Sequence, residues 1–112
     1  MTRYLISFDD GAMIFPEEEL PDVAEATHMV VQEAKNAGVS VFGGGVVSQR
    51  ASVVATDGTI TDGPYPETKA VLGGFAVVDV PSREEALEWA AKIAVACRCA
   101  QEVREFVPDP TV

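Results

Sequence analysis

Tyr4, Ile6 and Phe8 alternate with smaller or polar neighbours, so they share one face of an extended segment that Asp9-Asp10-Gly11 closes. The period then changes. Val23, Ala26, Val30, Ala34 and Ala37 recur at 3-4-4-3 spacing, one face of an amphipathic helix between Leu20 and Ala37. Glu17, Glu18, Glu19 and Asp22 stand at its start, where the helix dipole favours anions. Pro16 and Pro21 each suit a first helical position and leave the start open, while Gly38 suits the C-terminal cap.

The second half of the pattern is mostly extended. Val39 to Val47 reads as a strand interrupted by Gly43-Gly44-Gly45, which marks a bulge or a close approach to the backbone. Gly44 is therefore a candidate ligand-binding position. Ser52 to Thr56 and Thr59 to Thr61 flank Asp57-Gly58, a hairpin signal. A Pro- and Gly-bearing loop spans Gly63 to Gly74, and Phe75 to Val80 is a nearly unbroken apolar run suited to a central strand. Ser82-Arg83-Glu84-Glu85 is a capping box. The helix it opens buries Ala86, Ala90, Ile93 and Cys97, with Trp89 on the flank. Val103 to Val107 is the last strand, and residues 108–112 form a loose tail. The predicted class is α+β with the order β-α-β-β(β)-β-α-β. Two helices crossing one face of an antiparallel sheet is the ferredoxin-like layout, here with an extra hairpin.

A chain of 112 residues with 47% apolar and 23% charged side chains fits one globular domain, residues 1–112. Its core is of modest size, and dimerisation would bury more apolar surface. Eight basic residues among eighteen acidic ones give a net charge of −10, which argues against nucleic acid and anionic membranes as partners. The opening MTRYLISFDD is too short an apolar run for a signal segment and nothing approaches a membrane span, so a cytoplasmic location is expected. Cys97 and Cys99 have no second cysteine pair to complete a zinc site, and read as two small thiols. No nucleotide-binding glycine motif is present, and neither a cofactor nor a metal is expected.

Candidate chemistry gathers in Asp62 to Lys69, DGPYPETK. Pro64 and Pro66 stiffen the loop, and a carboxylate held in place suits acid–base work, so Asp62 and Glu67 are candidate catalytic groups. Asp62 also suits the start of an Asx-type turn. Lys69, two residues from Glu67, offers a cation, and Tyr65 a ring and a hydroxyl; these two are candidate ligand-binding residues. His28 is the lone histidine and the one residue a histidine-dependent mechanism could use. On a straight helix it projects near the face opposite the apolar stripe, with Gln32 and Lys35, whereas Thr27 lies on the stripe's edge.

The segment DGPYPETK resembles the signature of the DGPF-type subgroup of the YCII-related proteins, with Tyr65 in place of the usual Phe. The opening YLISF, Gly38 followed by Val41-Phe-Gly-Gly44, Leu72-Gly-Gly-Phe75, Ala86-Leu-Glu-Trp-Ala90 and Glu102-Val-Arg104 also match, in order. The resemblance implies a ferredoxin-like protomer and a homodimer whose sheets face each other as a dimeric α/β barrel with a cleft. It does not imply one activity. Some relatives are lyase- or dehydrochlorinase-like enzymes using a His-Asp pair, and in them the helix histidine falls nearest Thr27 of this chain. Some are encoded beside extracytoplasmic-function sigma factors, which implies a regulatory accessory role as a further alternative. The expectation is a small dimeric protein binding a small molecule between sheet and helices, with the acid–base enzyme as its alternative.

Overall fold

In a computed structural model, described for residues 1–47, 51–62 and 72–111, the chain runs β1 (Thr2–Asp9), a 3-10 turn (Glu17–Glu19), α1 (Leu20–Asn36), β2 (Ser40–Gly45), β3 (Ser52–Val54), β4 (Ile60–Asp62), β5 (Leu72–Val80), α2 (Arg83–Cys97) and β6 (Glu102–Glu105). Four strands form one sheet in the order β2-β5-β1-β6, with every neighbouring pair antiparallel. β5 lies between β2 and β1, and β1 between β5 and β6, so each helix connects strands separated by a third. Both helices pack on each other; α2 also touches β1, β5 and β6, and α1 touches β2. The result is a mixed α+β fold, an antiparallel sheet with two helices, about 18 Å thick.

Alternation decides which face is core. Tyr4 and Ile6 of β1 and Val78 and Val80 of β5 point to the helices and meet Ala34, Val39, Ala86 and Ala90, with Trp89, Ile93 and Val103 at the edge. Ile6, Val23 and Val80 are sealed from solvent. Ala86, Ala90 and Cys97 of the α2 stripe are buried while Ile93 is half-buried, and small alanines allow the helix to sit close to the sheet. Ser82 accepts the Glu85 N–H at 3.2 Å, the N-terminal cap expected of the box. At the other end Arg98 takes a left-handed conformation (φ 58°), strained for a residue with a side chain, and its guanidinium meets Glu19 at 3.1 Å.

The expected stripe of α1 is narrower in the structure. Val23 and Ala34 are buried, Ala26 and Val30 half-buried and Ala37 exposed. The reason is that α1 rests against α2 and one edge of the sheet rather than across it.

The glycines of β2 divide by face. A side chain at Gly43 would meet the Phe75 carbonyl oxygen at 2.7 Å and Ala76 Cα at 3.0 Å, so the close approach foreseen here is that of the neighbouring strand. The bulge is present too, as a register shift between Ser40 and Phe42. Gly73 and Gly74 leave room for the Phe8 ring, which lies within 2.9 Å of a Cβ built at either one.

β3 and β4 form a separate two-stranded sheet that touches none of the other described helices or strands. Its turn is well specified. Gly58 has φ 88°, Ala55 N–H bonds Thr59 O at 2.8 Å, and Asp57 Oδ1 accepts the Thr59 N–H at 2.9 Å. The Thr59 bonds, side chain first, hold the Asp57 carboxyl below its ordinary range.

Candidate functional site

No described helix or strand covers the face of the sheet opposite the two helices. Leu5, Ser7, Phe75 and Val77 project there from the central strands, Phe42 and Gly44 from β2 and Arg104 from β6, as the register demands. Phe42 is 67% exposed and lies 5.8 Å, centroid to centroid, from the Phe75 ring.

At one end of this face is a trough of about 410 Å³. Its floor is Arg3, Val77 and Asp79; Val41 forms one wall and residues 106–109 the other. The Phe106 N–H donates to Arg3 O at 3.0 Å and anchors that second wall beside β1. Arg3 and Asp79 are cross-strand partners, yet no ion pair joins them. The Asp79 Oδ1 is sealed from solvent and accepts no hydrogen bond. A carboxylate shares its charge over both oxygens, so the unsatisfied one raises the demand for a donor at the other. The trough thus offers an acceptor, a guanidinium donor and apolar walls, which suits a small molecule with a polar head and a hydrophobic body.

The expected site residues are distributed differently. Asp62 is exposed on β4 and accepts a 2.5 Å hydrogen bond from the Ser52 hydroxyl, which closes the hairpin's open end. Tyr65, Glu67 and Lys69 lie outside the described residues. His28 is exposed on α1, as its place on the helical wheel requires. The hairpin touches no described element, so Asp62 and His28 do not meet. Thr27, by contrast, faces α2: its hydroxyl donates to Val23 O at 2.8 Å and sits 3.8 Å from the Cys97 sulfur. Gly44 has open space above it on the uncovered face.

Cys97 ends α2 in a buried position and Cys99 is half-buried beyond the cap; both are free thiols. Burial, and then Cys97, push the Cys99 thiol up, against a hydrogen bond from Gln101. Among the described residues no three His, Cys, Asp or Glu side chains gather as a metal site, and no helix is long and apolar enough to cross a membrane.

The space between sheet and helices, where a cleft was expected, is filled by the core. Two hollows lie outside it. One is the trough; another, about 840 Å³, is a shallow groove on the outer side of the helix pair between Met29 and Val95. Sequence reasoning passed over Arg3 and Asp79. One signal was available: Asp79 is the lone charge in the apolar run Phe75 to Val80.

The family model of the YCII-related domain matches residues 4–108. No curated protein matches the sequence. Among solved structures, the fold is similar to that of 5-chloro-2-hydroxyhydroquinone dehydrochlorinase (TftG) from Burkholderia phenoliruptrix AC1100 in complex with 2,5-dihydroxybenzoquinone. The TM-score is 0.55 at 15% identity, over 97% of each chain.

Proposed function

This chain belongs to the YCII-related family, and we propose that it is a cytoplasmic homodimer that binds a small molecule in the trough on the open face of its sheet. The observation that carries the proposal is the Arg3–Asp79 pair on the trough floor, a donor and an under-satisfied acceptor between apolar walls. Residues 1–112 act in this reading as a single domain. The strand order β2-β5-β1-β6, with each helix joining strands that flank a third, supports a ferredoxin-like protomer. DGPYPETK supports the DGPF subgroup. An uncovered apolar face with Leu5, Phe42, Phe75 and Val77 supports a dimer closed face to face, which would roof the trough.

The test is backbone amide mapping by NMR with a fragment library of small polar-headed aromatics. Shifts concentrated on Val41, Val77, Asp79 and Phe106, and lost in Asp79→Asn, are the expected result. Fragments that bind elsewhere, or none that bind, refute the proposal.

The enzyme reading is its sharper form. TftG, a dehydrochlorinase, supports it at the level of fold alone. Asp79 would then act as acid or base on the bound molecule, with Asp62, Glu67 and His28 as the other candidates. Turnover of a halogenated phenol that survives Asp79→Asn but not Asp62→Asn or His28→Gln would move the chemistry out of the trough.

A further inference from the structure

Arg3 and Asp79 carry opposite charges on facing strands and do not use them on each other. They are cross-strand partners in the β1–β5 register, where directly opposed side chains ordinarily interact. Yet no ion pair joins them, and neither side chain has an ion pair or hydrogen bond to another described residue. The Asp79 Oδ1 is also sealed from solvent, so this carboxylate has lost hydration without gaining a donor. A buried acceptor without a partner is uncommon in native proteins, and a bound ligand is one way its bonding is completed.

From this pair we infer that the trough takes a zwitterion, an apolar α-amino acid. Its ammonium meets Asp79, its carboxylate meets Arg3 and its side chain lies along the apolar walls. The inference rests on the small-molecule reading of the trough and names the class of molecule. A carboxylate only accepts hydrogen bonds and a guanidinium only donates them, so the ligand must present a donor beside an acceptor. In an α-amino acid both are attached to one carbon, and a single small head bridges two side chains that stand beyond ion-pair reach of each other. Charge separates this class from its neighbours. An ammonium brings donors and a positive charge to Asp79, whereas a hydroxyl brings one donor and leaves the negative charge unmatched. The chain at −10 repels a net anion such as a hydroxy acid, but not a zwitterion, whose charges sum to zero. The walls suit the rest of the molecule. Val41 and Phe106 beside the pair are 42% and 43% exposed, which leaves apolar surface for a ligand to cover. The volume of about 410 Å³ lies at the small end of ligand pockets.

The test is an NMR titration of the full chain with L-leucine, L-methionine and L-phenylalanine. It is repeated with the relatives of the best binder: the amine without its carboxylate, the acid without its ammonium, and the 2-hydroxy acid. The amino acid should shift the amides of Val41, Val77, Asp79 and Phe106. Each relative should bind more weakly by a factor of about 10 or more, the loss expected for one charge-assisted hydrogen bond. In Arg3→Met the amine should bind as well as the amino acid, and in Asp79→Asn the hydroxy acid should. A relative that matches the amino acid on the wild type overturns the zwitterion, as do amino acids that shift other amides. Silence from all of the amino acids while neutral fragments shift the trough does the same, and the small-molecule reading then stands. Silence from every probe overturns both. The wild-type series decides the question even where a variant fails to fold.

Discussion

Gly43→Ala and Gly44→Ala place the same methyl group on adjacent residues of one strand, and the structure assigns them opposite outcomes. At Gly43 the new Cβ would lie 2.7 Å from the Phe75 carbonyl oxygen and 3.0 Å from Ala76 Cα. Both obstacles are backbone atoms of β5, which β1 holds on its far side, so they cannot swing away as a side chain would. β2 must retreat and weaken its ladder to β5. Overpacking of this kind costs about 1–3 kcal/mol, against a gain of roughly 0.5–1 kcal/mol from replacing glycine in a strand. A net loss of about 1–2 kcal/mol lowers Tm by roughly 5–10 °C in a domain of this size. At Gly44 no atom lies within 4 Å of the new Cβ, so the entropic gain stands alone and stability should hold or rise by about 0.5 kcal/mol. The change in unfolded-state entropy is common to both variants and cancels in their difference. Urea unfolding of the two side by side measures that difference. Equal stabilities within about 0.5 kcal/mol would refute the register and bulge assigned to β2.

Three further outcomes are expected. Burial, then the charge and hydrogen bond of Glu105, push the Tyr4 phenol above its usual 10.0, so the folded chain holds that proton more tightly than the unfolded one. The contribution is complete below pH 10 and declines as pH rises from there through the raised value; urea unfolding across that range should show a decline that Tyr4→Phe lessens, and an identical slope in the variant would count against it. Val54→Thr should change the stability of the four-stranded body by less than about 0.5 kcal/mol, because the hairpin touches none of its described elements; thermal unfolding checks this. In mass-spectrometric thiol labelling, half-buried Cys99 should react before buried Cys97, and at pH 7 more slowly than a free cysteine because its thiol is pushed up; prior labelling of Cys97 would contradict the packing of the α2 end.

What could be read from the sequence was what adjacent residues settle among themselves. The Ser82 cap, the Ala86–Ala90–Cys97 stripe, the alternation of Tyr4 and Ile6 and the Asp57-Gly58 turn each depend on spacings of a few residues, and each is where the pattern put it. The wheel position of His28 was legible for the same reason, since 3.6 residues per turn fixes a direction without knowledge of neighbours. Tertiary structure decided the rest, because strand pairing joins residues far apart in the chain. Arg3 and Asp79 are 76 positions apart, and only the β1–β5 register makes them the floor of one trough. Gly43 and Gly44 look alike in the sequence and differ because one faces the backbone of β5 and the other open space. The hairpin was foreseen as a strand pair of the domain. That it touches no other described helix or strand, with Val54 and Ile60 exposed, is a matter of tertiary placement that no local propensity encodes.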